Sequence, residues 1–205
     1  MLPGRPDPES VSARTPIRLA LFGGVFDPVH NGHLAVARAA AERFRMDRVL
    51  FVPAARPPHK PACHAAYADR VRMLELAIAG DPRFEVSRLE EGEGYSYSID
   101  TIEKVRARLA TGDELFFLIG ADAFAEIGSW RRAGDVVRSV VFLVVSRPGH
   151  VYHIPPKARV ERLDTVEVPV SSSEIRHKLA AGVSDLDVPP EVLGYIANRR
   201  LYIEI

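Results

Sequence analysis

The stretch of sequence that decides the fold is Gly23-Gly24-Val25-Phe26-Asp27-Pro28-Val29-His30-Asn31-Gly32-His33. It follows an apolar run over residues 17–22, typical of a buried parallel strand, and precedes a segment over 34–44 with apolar residues at helical spacing. Glycines let the backbone approach a ligand closely, and a helix start offers free N–H groups and a positive dipole end. If a helix opens here, His30 and His33 face the same way, so the stretch predicts an anion site, most simply for phosphate.

The composition is that of an ordinary globular protein and excludes several classes. The chain has 205 residues, and Lys+Arg and Asp+Glu both number 27, so its overall charge does not favour nucleic acid or an anionic membrane as partner. The single cysteine, Cys63, excludes an internal disulfide framework and fits a reducing cytosol. Because no apolar run approaches the roughly 20 residues of a membrane span and no apolar signal core opens the chain, we predict a cytoplasmic protein. Residues 1–16, which carry four prolines, are predicted to be a disordered extension of a single domain over 17–205.

Strand-like and helix-like segments alternate along the chain. Apolar runs predict strands over 17–22, 49–52, 84–87, 115–119, 140–145 and 166–170. Helical segments lie between them, with Ser98 as the predicted cap of one, and Ser171 and Glu174 at capping-box spacing in another. The alternation predicts an α/β fold: a Rossmann-like, doubly wound, mostly parallel sheet with helices on both faces and a small C-terminal helical part.

Polar or glycine-containing stretches follow several predicted strands. They are the opening stretch, residues 120–122, residues 146–147 and the serines at 171–173. Ligands of parallel sheets bind beyond the carboxyl ends of the strands, so these stretches are predicted to converge on one edge. The long connection over 53–66, which contains Pro57-Pro58-His59-Lys60-Pro61, is predicted to be a lid or binding loop.

The residue types alone leave other interpretations open. Asp27, His30 and His33 could be metal ligands, although two histidines at this spacing lack a dependable third and fourth partner. The histidines could also be structural, since histidine often packs half-buried. Serines at 171–173 by themselves form an ordinary helix cap, and Trp130 by itself is more often a core residue.

Two signatures resemble those of the nucleotidylyltransferase superfamily. The opening stretch resembles the (H/T)xGH signature in its glycine–Phe–Asp–Pro form, and a later helix start resembles the second signature, Ser171-Ser172-Ser173-Glu174-Ile175-Arg176. Within that superfamily the chain is most similar to the bacterial nicotinate-nucleotide adenylyltransferases, over residues 17–202. Further similar stretches are 57–60, 95–101, 120–122 with Trp130 downstream, 146–149 and 188–202. Val25 stands where the family usually has threonine, and Ser173 stands where threonine is common.

The resemblance implies an enzyme that transfers AMP from ATP to nicotinate mononucleotide and releases nicotinate adenine dinucleotide and pyrophosphate. A phosphate oxygen attacks the α-phosphorus in line, so no covalent protein nucleophile is needed, and positioning and charge stabilisation supply the catalysis. The residues implied to be catalytic are His30, His33 and Arg176. Those implied to bind ATP are Gly23, Gly24, Val25, Phe26, His30, Gly32, His33, Gly120, Asp122, Ser172, Ser173 and Arg176. Those implied to bind nicotinate mononucleotide are Lys60, Ser98, Trp130 and Arg131.

The resemblance also implies a cofactor and partners. Mg²⁺ would be held mainly by the ATP phosphates, so no protein metal site is expected. The expected partners are the small-molecule substrates, with no nucleic acid and no membrane, and the sequence leaves monomer and homo-oligomer open. If protonated, His30 and His33 would be charged donors, a state that bound phosphate would favour.

Two alternative functions remain open from the sequence. One is an adenylyltransferase for nicotinamide mononucleotide or another phosphorylated acceptor. The related enzyme that uses phosphopantetheine typically has threonine at the position of His30, and it is not expected to share the Pro-Pro-His-Lys loop. The other alternative is a non-catalytic nucleotide-binding regulator, against which the intact His30, His33 and Arg176 argue.

Overall fold

A single parallel sheet organises the computed structural model, which describes residues 14–58, 62–92, 94–146, 151–164 and 170–204. Its strands in chain order are β1 (Arg18–Gly24), β2 (Arg48–Pro53), β3 (Phe84–Val86), β4 (Glu114–Gly120), β5 (Val141–Val145) and β6 (Arg159–Leu163). They lie side by side in the order β3-β2-β1-β4-β5-β6, and every pairing is parallel. The predicted doubly wound sheet is therefore confirmed.

Helices follow the strands in alternation. They are α1 (Asn31–Arg43), α2 (Tyr67–Ile78), α3 (Ser98–Arg106), α4 (Ala121–Ala125), α5 (Ala133–Ser139), α6 (Ser172–Ala180) and α7 (Pro190–Arg199), with a 3₁₀ turn over Ile127–Ser129. None of the helices in these described ranges is long and apolar enough to cross a bilayer.

The sheet separates two apolar cores because successive side chains of a strand point to opposite faces. In β1, Ala20 belongs to the core formed with α1, α2, α6 and α7, whereas Leu19 and Leu21 belong to the core formed with α3, α4 and α5. Helices thus cover both faces, as the sequence predicts. The C-terminal helices α6 and α7 pack on the same face as α1 through Ile175, Val192 and Ile196.

The strand order places a switch point between β1 and β4. The chain leaves β1 for α1 on one face, and it leaves β4 for α4 on the other face. A crevice opens beyond the carboxyl ends of two neighbouring strands when their following helices diverge in this way. The loops that end β1 and β4 are consequently the place to look for a ligand site.

Two local predictions differ from the structure. The last strand is β6, whose charged sequence gives no apolar run. It is the outer strand of the sheet, paired with β5, and charge is common on such edges. Of the strand predicted over 166–170, only Val170 lies within the described residues, and it is not in a strand. Ser98 is the first residue of α3 rather than its cap, because Tyr97 is held in extended backbone immediately before it.

The predicted N-terminal extension lies mostly outside the described residues. Of its sixteen positions, only 14–16 are described. Arg14 forms an ion pair with Asp113, and the same carboxylate accepts a hydrogen bond from the amide of Ile17 at 2.9 Å. The boundary between residues 16 and 17 stays a prediction.

Candidate active site

A cavity of about 420 Å³ lies beyond the end of β1. It is lined by the β1–α1 turn, by the far end of the 53–66 connection and by the start of α6, through Val25, Asp27, His30, His33, Ala62, Cys63, His64, Ser171, Ser172, Ser173 and Arg176. The structure therefore brings the two sequence signatures, which lie far apart in the chain, to one cavity. We call it the histidine cavity.

The two histidines are stacked at the start of α1. Their ring centroids lie 3.7 Å apart with an interplanar angle of 28°. The backbone N–H of His30 donates to Nδ1 of His33 at 3.2 Å. An imidazole nitrogen that accepts carries no proton, so the proton of neutral His33 lies on Nε2. His33 is thereby fixed as a donor through Nε2, on the side away from the backbone.

The His30 ring is buried and neutral in the free protein. Burial lowers its pKa from 6.5 to about 4, an effect that the nearby carboxylate of Asp187 only partly opposes. The charged state expected for His30 is therefore absent near pH 7 without a ligand. Bound phosphate would have to supply the negative charge that favours it.

The second signature is docked directly on the first. Ser172 Oγ donates to the carbonyl of Pro28 at 2.9 Å, and Nη1 of Arg176 donates to the carbonyl of Asp27 at 2.7 Å. Ser171 caps α6, since its Oγ accepts from the amide of Glu174 at 3.2 Å, which confirms the predicted cap. Nε of Arg176 is buried without a hydrogen-bond partner among the described residues. Arg176 also lines the histidine cavity, so the rest of its guanidinium is the part placed to meet an anion there.

Asp27 is a wall residue that the sequence suggested only as a metal ligand. Its Oδ1 accepts from Tyr202 Oη at 2.6 Å and from the amide of Ala65 at 3.1 Å, and its Oδ2 accepts from the amide of His64 at 2.7 Å. Both oxygens are thus committed to the fold. Within the described ranges no three His, Cys, Asp or Glu side chains cluster in a way that could hold a metal ion.

Arg70 is a buried residue that sequence reasoning missed. From α2 its Nη1 donates to the carbonyls of Val25 at 2.7 Å and Ala54 at 2.8 Å, and its Nε donates to Ala65 at 3.3 Å. It therefore ties the turn after β1 to both ends of the 53–66 connection. A signal was present, because residue 70 shares a helix face with Leu74, four positions on.

Gly24 must be glycine because the ring of Phe26 occupies the space that a side chain would need. A Cβ at this position would lie 2.8 Å from the ring of Phe26, which is closer than carbon atoms approach. Phe26 is buried with a positive φ of 53°, and its ring stands edge-on to His33 at 4.9 Å. The glycine thus lets Phe26 support the histidine pair, and the predicted ATP contacts of Gly23, Gly24 and Phe26 stay predictions.

A second cavity, of about 210 Å³, lies near the end of β4. It is lined by Pro57, Pro58, Ser96, Tyr97, Ser98, Ala123, Glu126, Trp130 and Arg131. Ser98, Trp130 and Arg131, which the sequence assigned to the acceptor, are brought together here. Lys60 lies outside the described residues. We call this second cavity the tryptophan cavity.

Trp130 forms one side of the tryptophan cavity and is only half-buried. Its ring packs edge-on against Phe117 of β4, with centroids 6.0 Å apart and an interplanar angle of 70°. This contact fixes the orientation of the indole while part of it stays accessible. The 53–66 connection contributes Pro57 and Pro58 to this cavity and residues 62–64 to the histidine cavity, so one segment borders both.

Three further predicted residues line neither of the two cavities. Gly120 ends β4 and precedes α4, and Asp122 is exposed in the first turn of that helix, next to Ala123 of the tryptophan cavity. Gly32 is buried in the first turn of α1. Their predicted contacts with ATP stay predictions.

Comparison with known proteins defines the class to which this fold and site belong. Residues 21–178 match the family model described as cytidylyltransferase-like. A relative from Solibacter usitatus is 65% identical over 187 residues, covering 91% of this chain and 100% of its own length. A relative from Thermus thermophilus is 46% identical over 188 residues, with the same coverage. Both are named "Probable nicotinate-nucleotide adenylyltransferase", and the chain belongs to that family.

A solved structure shares the fold at much lower sequence identity. The Plasmodium falciparum nicotinic acid mononucleotide adenylyltransferase complexed with NaAD has a TM-score of 0.76 at 20% identity, and the match covers 91% of this chain and 98% of that one. The same protein complexed with APC has a TM-score of 0.74 at 19% identity. These matches support the α/β architecture over most of the chain.

Proposed function

We infer that the protein transfers AMP from ATP to nicotinate mononucleotide, giving nicotinate adenine dinucleotide and pyrophosphate, a step of NAD biosynthesis. The family supports this activity. The observation that carries it is the pair of cavities on one sheet edge, one lined by histidines, serines and Arg176, the other built around an aromatic ring. A triphosphate suits the first, and a pyridine ring suits the second.

We propose that the histidine cavity holds the triphosphate. His33 donates from Nε2, and Arg176 lines the cavity with its guanidinium. Ser172 and Ser173 add helix N-terminal amides, and Ser173 adds its hydroxyl, since the Ser172 hydroxyl already donates to Pro28. The reaction joins two anionic phosphates, so fixed donors around the α-phosphorus lower the barrier by stabilising the developing charge. The phosphate oxygen of the acceptor attacks in line, and pyrophosphate leaves with the bonding electron pair.

Mg²⁺ would enter with ATP as part of the substrate. Among the described residues that line the histidine cavity, Asp27 is the only carboxylate, and both of its oxygens already accept hydrogen bonds. Such a donor set fits a cation carried by phosphate oxygens and water rather than by a protein cage. Its chemistry there is to neutralise triphosphate charge.

We propose that the tryptophan cavity holds the acceptor. Trp130 would stack on the pyridine ring, while the carboxylate would accept hydrogen bonds near Ser98 and from the amide of Arg131. Lys60, which belongs to the 53–66 connection in the sequence, would add a positive charge, and Asp122 would accept from the adenosine ribose. The substrates are small molecules, and a cytoplasmic location remains a prediction.

A pyrophosphate-release assay tests the function. Purified protein with ATP and Mg²⁺ is offered nicotinate mononucleotide, nicotinamide mononucleotide or phosphopantetheine in turn. We expect turnover with the first and much less with the other two. No turnover with any acceptor would refute the enzyme; equal rates with the first two would refute only the preference for the acid.

A further inference from the structure

Glu90 is a partly buried carboxylate that does not itself line the tryptophan cavity. The hydroxyl of Thr101, a buried residue of α3, donates to Glu90 Oε1 at 2.5 Å. The hydroxyl of Ser96 also hydrogen-bonds to this carboxylate. Glu90 thus joins α3 to the segment that precedes it.

Ser96 extends this connection to the other side of the cavity. Its Oγ accepts from the amides of Ala55 at 3.0 Å and Arg56 at 3.3 Å, and its own amide donates to the carbonyl of Arg56 at 2.9 Å. A serine hydroxyl has one proton and two lone pairs. Because the two amides occupy the lone pairs, the proton is left for Glu90.

The residues held in this way continue directly into the cavity wall. Pro57 and Pro58 follow Arg56, and Tyr97 and Ser98 follow Ser96. Both segments of the cavity wall therefore begin next to the hydrogen bonds between Ser96 and Arg56. Trp130 stands in the same cavity on a separate support, the ring of Phe117. The wall segments 57–58 and 97–98 are therefore connected through Ser96 to the Glu90 carboxylate.

We propose that Glu90 is a positioning residue for the acceptor: through Ser96 it sets the wall of the tryptophan cavity against which the acceptor is held. The inference rests on the proposed function for the identity of the acceptor. It assigns Glu90 no contact with substrate. Loss of the carboxylate should therefore weaken acceptor binding while leaving the triphosphate side unaffected.

The carboxylate must be ionised to accept from both hydroxyls. Burial raises the pKa of the Glu90 carboxyl, and the hydrogen bonds from Thr101 and Ser96 oppose that rise. Within the described part of the chain, the other titratable groups that face it are Lys104 and Asp100 of α3 and Tyr67 of α2. As the pH falls through this raised pKa, the carboxyl group is protonated and loses one of its two hydrogen bonds from hydroxyl groups. The affinity for nicotinate mononucleotide should therefore begin to decline at a higher pH than it would if Glu90 were exposed.

The chain offers a direct probe and a matched control. Trp130 is its single tryptophan, so titrating intrinsic fluorescence with nicotinate mononucleotide reports acceptor binding without turnover. Glu90→Ala should raise the acceptor Kd and KM about tenfold, with the KM for ATP changed less than about twofold. Glu91→Ala, the exposed neighbour that pairs with Arg88, should leave both unchanged. An unaltered acceptor Kd in folded Glu90→Ala, or an equal rise in the KM for ATP, would overturn the proposal.

A conservative variant keeps the test decisive if Glu90→Ala does not fold. In Glu90→Gln the amide oxygen still accepts from Ser96, but the group no longer titrates. The ratio of its acceptor Kd to that of the wild type, measured at each pH so that titration of the ligand cancels, should shrink toward one as the pH falls. A ratio independent of pH would refute the inference.

Failure of the proposed function can be separated from failure of this inference. A wild-type protein that neither binds nor turns over nicotinate mononucleotide sinks the function. The role of Glu90 is then read from amide hydrogen exchange: the amides of Ala55 and Arg56 should exchange faster in Glu90→Ala, which loses the acceptor for Ser96, than in Glu91→Ala. Equal rates would overturn the positioning role.

Discussion

At the scale of single residues, the two histidines differ in protonation and hydrogen bonding because their environments differ. His30 is buried and neutral, whereas His33 is held by the backbone as a donor through Nε2. The hydrogen bond fixes the tautomer of neutral His33, whereas Nδ1 of His30 has no hydrogen-bond partner among the described residues. This arrangement makes His33 the stronger candidate for contact with the α-phosphate.

Replacing His33 tests that assignment. His33→Ala removes a fixed donor, and loss of one transition-state donor commonly lowers kcat by about a hundredfold or more. His177→Ala is the control, because that histidine is exposed on α6 and does not line the cavity. Steady-state kinetics of both variants decide the point. An unchanged kcat for His33→Ala would remove it from the chemistry.

Burial of His30 predicts a pH dependence of stability. Its pKa is lowered from 6.5 to about 4, so the unfolded chain binds a proton that the folded one refuses. The stabilisation is complete above pH 6.5 and is lost as the pH falls toward 4, by about 3 kcal/mol at most. Urea unfolding at pH 7.5 and pH 4.5 should show a smaller loss for His30→Gln than for the wild type. Equal losses would contradict a buried neutral ring.

At the scale of elements, Arg70 connects α2 to the loops after β1 and β2. It donates to the carbonyls of Val25, Ala54 and Ala65, which border the histidine cavity or lie at the ends of the 53–66 connection. A guanidinium supplies donors in several fixed directions, but an ammonium group is a single point. One side chain thereby fixes the frame from which the predicted binding loop extends.

Arg70→Lys should therefore disturb both stability and binding. Loss of charged hydrogen bonds to the loop carbonyls should cost about 2–3 kcal/mol in the free energy of unfolding. The KM values for both substrates should rise together, because the connection borders both cavities. Arg72→Lys, an exposed change on the same helix, should do neither. Steady-state kinetics and chemical denaturation compare the two variants. Wild-type KM values for both substrates in Arg70→Lys would refute the role of Arg70 in holding the 53–66 connection.

The elements also show what a sequence can predict. Buried strands and amphipathic helices leave a periodic pattern, so β1 to β5 and the helices were predictable. The edge strand β6 was not, because its charged residues give no apolar run. Ser172 and Arg176 were found through their signature, whereas the hydrogen bonds of Asp27 and Arg70 go largely to groups of distant loops. Such pairings arise only from the tertiary structure and leave no local pattern.

At the scale of the whole molecule, the C-terminal residues 187–202 form hydrogen bonds with the first half of the chain, next to the histidine cavity. Asn31 Nδ2 donates to Asp187 Oδ1 at 2.9 Å, and the amide of Asn31 donates to the Asp187 carbonyl at 3.0 Å. The Tyr195 hydroxyl donates to Asp69 of α2 at 2.7 Å. Beyond α7, the Tyr202 hydroxyl reaches Asp27 at 2.6 Å. Of these last two tyrosine contacts, only that of Tyr202 ends on a wall of the histidine cavity.

The pair of tyrosines allows stability and function to be separated. Tyr202→Phe and Tyr195→Phe each delete one hydroxyl donor to a carboxylate, at a cost of about 1.5–3 kcal/mol in unfolding free energy. Tyr202→Phe should in addition lower kcat/KM for ATP by about tenfold, since Asp27 loses a support while still holding His64 and Ala65. Tyr195→Phe should keep kcat/KM within about twofold at a temperature where both variants are folded. Equal kinetic effects would mean that the C-terminal part contributes only stability, and a kinetic loss confined to Tyr202→Phe would make the end of the chain part of the triphosphate site.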